Sequence, residues 1–214
     1  MATRNLSTLL PKSLLLLVFS AAARPTQAAA DPVKVSVYYE TLCPDSRNFF
    51  TEQLYPVYQD LKDIMTLDIN TYGKATDFPS GDSYVFVCQH GHAECVGNMM
   101  ITCAKNLTQD EEVFMAFSNC VMAEFTAAAA GPQCAEQTGV NFAPVEECYN
   151  SVEGHRLLHE VGVKQNALEI ALYWVPWILI DDVFTDAQLE AAQLDLRKVV
   201  CDAYTGERPA ACTA

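Results

Sequence analysis

The chain has 214 residues, a formal net charge of −14 and a hydrophobic content of 50%, which predicts one globular domain. Its acidity disfavours binding to nucleic acid or to anionic membrane surfaces, because both are negatively charged. We also expect no membrane span, since no apolar segment after residue 30 reaches the length that a bilayer crossing requires.

Residues 1–30 have the pattern of a secretory signal peptide. The basic residues Arg4 and Lys12 precede an apolar run, "LLLLVFSAAA" (14–23). The small residues of "AAADP" follow that run. The run has about half the length of a membrane-spanning helix, which favours a cleaved signal peptide over the alternative, a retained membrane anchor. We favour cleavage after Ala30, with Ala23 as the alternative. Cleavage after Ala30 would leave one domain at 31–214 that enters the secretory pathway.

The first elements of that domain form a strand–helix–strand unit. "VKVSVYY" (33–39) is predicted to be a buried strand, and Pro44 is suited to the first position of the following helix. Pro56 should kink that helix. "IMTLDINTY" (64–72) alternates as a second strand does, so the crossover predicts that the two strands pair in parallel.

Residues 88–165 differ in character, with most of the cysteines and little strand pattern. We expect a helical, disulfide-bearing insertion here, with a break at "AAAAGPQ" (127–133). Asn106 begins an Asn-Leu-Thr glycosylation sequon and is therefore expected at the surface.

The last part of the chain returns to the pattern of the first. "YWVPWILI" (173–180) is predicted to be a buried strand, although Pro176 lies inside it and a central strand should not tolerate a proline. "DDVF" predicts a turn and a short strand. An amphipathic helix is predicted to start at Thr185.

The chain contains nine cysteines, and in a secreted protein an odd number leaves one unpaired. The other eight could form four disulfides in 105 combinations, of which we favour only the local pair Cys201–Cys212. The expected structural cysteines are Cys88, Cys95, Cys103, Cys120, Cys134, Cys148, Cys201 and Cys212.

Cys43 is the cysteine whose position suggests chemistry. It follows a strand and precedes a helix, where unpaired N–H groups and the helix dipole favour thiolate over thiol. The Ser46 hydroxyl could donate a hydrogen bond to that thiolate, whereas the Asp45 carboxylate would repel it. The alternative is an ordinary buried or bridged cysteine.

A zinc site is the second chemical possibility, because Cys88, His90, His92 and Cys95 lie close together in sequence. Their spacing is not that of paired Cys-x-x-Cys knuckles, and cysteines of secreted proteins favour disulfides. We therefore expect no metal, and we interpret both histidines as surface or packing residues.

A longer motif covers the same segment. The pattern CQHG-x2-EC-x2-N-x4-C is matched by Cys88, Gln89, His90, Gly91, Glu94, Cys95, Asn98 and Cys103. In this signature the chain resembles the gamma-interferon-inducible lysosomal thiol reductases (GILT). The resemblance implies an α/β thioredoxin-like fold with an inserted disulfide-rich helical segment, and reduction of protein disulfides in acidic endosomes and lysosomes.

The resemblance also assigns residues. It implies that Cys43 attacks the substrate disulfide, and Pro176 lies where thioredoxin-like proteins have a cis-proline, although a trans proline at a strand edge is the alternative. The family's second active-site cysteine is replaced by Ser46. Ser46 cannot resolve a mixed disulfide, so an external small thiol would have to do so, giving reduction, or another cysteine of the substrate, giving isomerisation. We expect no bound cofactor, and we expect disulfide-containing proteins and small thiols as partners.

Two other functions remain open. The chain could be a GILT-like protein without turnover that binds clients or acts in host defence. It could also be a disulfide-rich structural glycoprotein without thiol chemistry, in which Cys43 would be bridged.

Overall fold

The computed structural model describes residues 30–213, so the predicted signal peptide lies outside the described residues apart from Ala30. None of the helices in this range is long and apolar enough to cross a bilayer. The elements in chain order are β1 Val33–Tyr39, α1 Pro44–Phe49, a π-helical segment Phe50–Leu54, α2 Tyr55–Leu61, β2 Met65–Thr71, β3 Thr76–Ser80, β4 Ser83–Val87, α3 His92–Leu107, α4 Glu111–Ala123, α5 Ala127–Thr138, α6 Phe142–Tyr149, α7 Val152–Asn166, β5 Trp177–Ile180, α8 Asp186–Ala203 and a 3₁₀ turn Ala210–Cys212.

The main sheet has three strands, with β1 in the centre. β1 pairs in parallel with β2, where Val33 lies opposite Met65, and antiparallel with β5, where Tyr38 lies opposite Trp177. Its β-branched and aromatic side chains suit a strand that is covered on both faces, and all of its residues except Lys34 are buried. The predicted parallel pairing of the first two strands is confirmed.

The helix after β1 starts at Pro44, as predicted, and is continuous to Leu61. Its middle, Phe50–Leu54, is π-helical and ends just before Pro56. A proline cannot donate the i→i−4 hydrogen bond and its ring crowds the preceding turn. The disturbance predicted at Pro56 therefore takes the form of a widened turn in front of it.

Five helices, α3 to α7, lie between β4 and β5 and form the predicted insertion. α3 is its centre and packs against α5, α6 and α7. The insertion carries three disulfides, Cys88–Cys95, Cys103–Cys148 and Cys120–Cys134.

The break predicted at 127–133 is wrong, because this segment belongs to α5. The alanines are strong helix formers, and Cys134 ties the helix to α4. Gly131 faces Met100 and Phe142, where a Cβ would come within 2.5 Å of the Met100 sulfur. Tertiary packing therefore outweighs the local preference of Gly131 and Pro132.

A hairpin that we did not predict joins β3 and β4, which pair from Thr76 opposite Val87 to Ser80 opposite Ser83. Gly81 takes a positive φ of 62° in the two-residue turn. Tyr84 stacks on His159 of α7 with ring centroids 3.8 Å apart. The Gly81-Asp82 pair was the available sequence signal.

The end of the domain differs from its prediction in one respect. β5 starts at Trp177, after Pro176 rather than around it, because proline has no N–H to contribute to a sheet. The turn that follows holds a single bridge between Ile180 and Val183. α8 starts after Thr185, whose side chain accepts a hydrogen bond from the Gln188 N–H.

Candidate active site

Cys43 lies between β1 and α1, at the N-cap of the helix. Its side chain is 7% exposed, and its Sγ lies 3.9 Å from the carbonyl oxygen of Val175. The Val175–Pro176 peptide bond is cis. The fold thus brings together two segments that are far apart in sequence, as expected for Cys43 and Pro176.

All nine cysteines lie within residues 30–213, and eight of them form disulfides. These include Cys201–Cys212, the one pair favoured from the sequence. Cys43 is the free cysteine of this described range. The structure therefore leaves a thiol at the one position where the sequence predicted chemistry.

Ser46 lies in the first turn of α1 and is fully buried. Its Oγ accepts a long hydrogen bond, 3.4 Å, from the backbone N–H of Glu40. Asp45, which we expected to repel a thiolate, is exposed to water, where its charge is screened. The position that a second thiol would occupy is thus on the core side of the helix.

Helix α3 fixes the backbone just before Cys43. Asn98 Oδ1 accepts hydrogen bonds from the Thr41 N–H (3.0 Å) and from the Thr41 hydroxyl (2.9 Å). Glu94 Oε2 accepts one from the Leu42 N–H at 3.3 Å. A Cβ at Gly97 would come within 2.6 Å of the Thr41 hydroxyl oxygen, so this close approach needs glycine.

Two carboxyl groups and an imidazole meet beside this loop. Glu40 and Glu94 are both 0% exposed. His90 Nδ1 lies 2.6 Å from Glu94 Oε2 and 3.6 Å from Glu40 Oε2. Burial and the charge of Glu94 raise the pKa of Glu40 to about 7, against the opposing effects of Lys74 and His90.

Sequence reasoning gave no role to Glu40, and it named Glu94 and Asn98 only as parts of the signature. The available signal was a glutamate directly after an apolar strand, because a buried carboxyl group requires partners. What the sequence could not show is that α3 lies against the β1–α1 loop.

The four residues weighed for zinc do not come together as a ligand set. Cys88 and Cys95 are joined as a disulfide, so neither offers a thiolate. His92 is exposed at the start of α3. His90 instead points to the two glutamates.

The surface near Val175 is aromatic. Tyr173 and Trp174 directly precede Val175 and are both exposed, and Lys74 Nζ lies 5.3 Å from the centre of the Trp174 ring. In the turn between α4 and α5, Phe125 is exposed, and its ring centre lies 4.1 Å from the Arg47 guanidinium carbon. Exposed aromatic rings are common where proteins bind other chains.

Asn106, the predicted glycosylation site, is exposed in the last turn of α3. The side chain is therefore accessible to modification.

Solved structures share the fold. The chain superposes on DsbA from Mycobacterium tuberculosis with a TM-score of 0.56 at 15% identity, covering 92% of this chain and 94% of that one. For DsbA from Chlamydia trachomatis the TM-score is 0.55 at 13% identity, with coverage of 88% and 98%. The predicted thioredoxin-like fold is thus confirmed.

Sequence comparison identifies the family. Residues 34–138 match the family described as gamma interferon inducible lysosomal thiol reductase (GILT). The chain is 38% identical to the gamma-interferon-inducible lysosomal thiol reductase of Carassius auratus, covering 86% of this chain and 73% of that protein. It is 33% identical to GILT-like protein 1 of Drosophila melanogaster, with coverage of 87% and 81%. The chain therefore belongs to the GILT family.

Proposed function

We propose that this protein is a thiol–disulfide oxidoreductase that acts on protein disulfides through Cys43 alone. The observation that carries the proposal is the free Cys43 thiol at a helix N-terminus, 3.9 Å from the Val175 carbonyl oxygen. Family membership supports the same class of reaction.

The reaction starts with the Cys43 thiolate, which attacks one sulfur of a substrate disulfide. A mixed disulfide forms between Cys43 and that sulfur, and the other substrate sulfur leaves as a thiolate. The N–H groups at the start of α1 favour the attacking thiolate. The nearby backbone of Val175 offers an extended client a place to pair, with Tyr173 and Trp174 as apolar contacts.

The second half of the reaction requires a small thiol such as glutathione or free cysteine, because Ser46 has no sulfur to attack with. One small thiol displaces the substrate thiolate from Cys43, and a second displaces Cys43. The sum is one substrate disulfide and two small thiols converted to two substrate thiols and one small-molecule disulfide. If a cysteine of the client resolves the adduct instead, the outcome is isomerisation.

We further propose that the protein acts in the secretory pathway, in an endosome or lysosome or outside the cell. The leader pattern at 1–30, the Asn106 sequon and the four disulfides support this location. Asn106 is the proposed glycosylation site.

The second candidate is client binding without turnover, possible in the same scaffold because Ser46 removes the internal resolving step. It predicts that the client stays bound to Cys43 as a mixed disulfide after small thiols are added, and that no reduced client is released. The first candidate predicts release and turnover.

A trapping experiment tests both. The protein is incubated with an unfolded client protein that contains a disulfide, and the mixture is quenched with acid and analysed by mass spectrometry. We expect an adduct on Cys43 that disappears, with turnover, when glutathione is added, and none in Cys43→Ala. An unmodified Cys43, or equal activity in Cys43→Ala, would refute the thiol mechanism.

A further inference from the structure

Two residues of the signature segment, His90 and Glu94, lie beside Glu40, and the proposed thiol chemistry uses none of the three as a reacting group. Glu40, His90 and Glu94 each offer one ligand atom, and these three atoms lie within 4.8 Å of one another. They come from the end of β1, from α3 and from the loop before α3. Imidazole nitrogens and carboxylate oxygens are both ligands of zinc in proteins.

A second observation points to a missing partner. Glu40 Oε1 accepts a hydrogen bond of 2.5 Å from the Lys74 N–H, but Glu40 Oε2 is buried and has no hydrogen-bond partner among the described residues. This oxygen faces His90 Nδ1 at 3.6 Å. An unpaired buried oxygen is costly, and the neighbouring Glu94 carboxyl group adds a second charge to neutralise.

We propose that Glu40, His90 and Glu94 form a binding site for a divalent transition-metal ion, with Zn²⁺ as the matching ion. In such a site His90 binds the ion through an unprotonated Nδ1, and the ion lies between the ring and Glu94. The His90 side chain is 31% exposed, which leaves room for water as a further ligand.

The dimensions of the cluster suit this ion. Zinc binds nitrogen and oxygen at about 2.0–2.2 Å, which separates two tetrahedral ligands by about 3.3 Å. The 3.6 Å between His90 Nδ1 and Glu40 Oε2 is close to that separation, and the 2.6 Å to Glu94 Oε2 needs only a small opening.

The cluster is also held in place before any ion arrives. The Cys88–Cys95 disulfide ties the loop that carries His90 to the first turn of α3. Glu94 Oε1 accepts a hydrogen bond of 2.9 Å from the His90 N–H. Preorganised ligands lose little entropy on binding, so a site of three protein ligands can still bind tightly.

The test is a calorimetric titration of the full secreted protein with Zn²⁺ at pH 7, after removal of metal with a chelator. Cys43→Ser is the parent protein, so that no free thiol competes for the ion. We expect one ion per chain. His90→Ala and Glu40→Gln should each weaken binding by about tenfold or more, in line with the effect of disturbing a metal's ligand environment.

His92→Ala is the matched control, because His92 lies two residues from His90 but does not belong to the cluster with Glu40 and Glu94. It should bind Zn²⁺ as the parent does. The proposal is overturned if the parent binds no Zn²⁺, if His90→Ala and Glu40→Gln bind as tightly as the parent, or if His92→Ala loses binding equally. Circular dichroism checks that each variant folds. If Glu40→Gln at its buried position does not fold, His90→Ala at a partly exposed position still tests the site.

Discussion

At the scale of the residue, the proposed reaction depends on Ser46, which has a hydroxyl where the family has a second thiol. Cys43 is the N-cap of α1 and Ser46 is its third residue, positions whose side chains approach each other in helical capping. Ser46→Cys should therefore form an internal 43–46 disulfide and accumulate about tenfold less client adduct when small thiols are scarce. Acid-quenched mass analysis measures both species.

Ser46→Ala is the control, since it removes the hydroxyl without adding sulfur. It should accumulate as much adduct as the natural protein. Equal adduct levels in Ser46→Cys and Ser46→Ala would show that this position does not reach the mixed disulfide.

At the scale of the element, hydrogen bonds to α3 fix the β1–α1 loop just before Cys43. Asn98→Ala removes the acceptor of the buried Thr41 N–H and hydroxyl. Leaving such a donor unpaired costs about 1–3 kcal/mol. We expect the free energy of unfolding to fall by about that amount, measured by urea denaturation.

Asn48→Ala tests the same change of side chain at an exposed position of α1. Its free energy of unfolding should stay within about 0.5 kcal/mol of the parent. If Asn98→Ala were equally mild, the hydrogen bonds from α3 would not be what fixes the loop.

At the scale of the whole molecule, Asp68 joins β2 to the insertion. Its carboxylate accepts two hydrogen bonds of 2.6 Å from Lys164 of α7, and Lys105 of α3 lies 3.7 Å away. Burial opposes the charged form of Asp68, but the Lys164 hydrogen bonds and the two lysine charges outweigh it, so its pKa is lowered.

A lowered pKa gives the folded state a stability that is present above the ordinary aspartate pKa, about 3.9, and lost as the pH falls below it. Asp68→Asn should lower the free energy of unfolding near pH 7, because it removes the charge that Lys164 and Lys105 stabilise. The loss should be only about 1 kcal/mol, since water screens the half-exposed Lys164. The difference from the parent should shrink below about pH 4, as urea denaturation across pH would show. A pH-independent difference for Asp68→Asn would contradict the assignment.

The sequence by itself determined the parts of this protein that depend on local chemistry. The strand at 33–39, Pro44 at a helix start and the helix after Thr185 follow from periodicity and end preferences. The odd number of cysteines required an unpaired one, and the strand–helix junction at Cys43 distinguished it.

The tertiary structure decided what depends on distant contacts. Packing against Met100 and Phe142 keeps the segment with Gly131 and Pro132 helical, against its local preference. Eight cysteines permit many pairings, and only the placement of α3 to α7 selects among them. The meeting of Glu40 with Glu94 was likewise beyond the sequence, because residues far apart along the chain become neighbours only when burial brings their elements together.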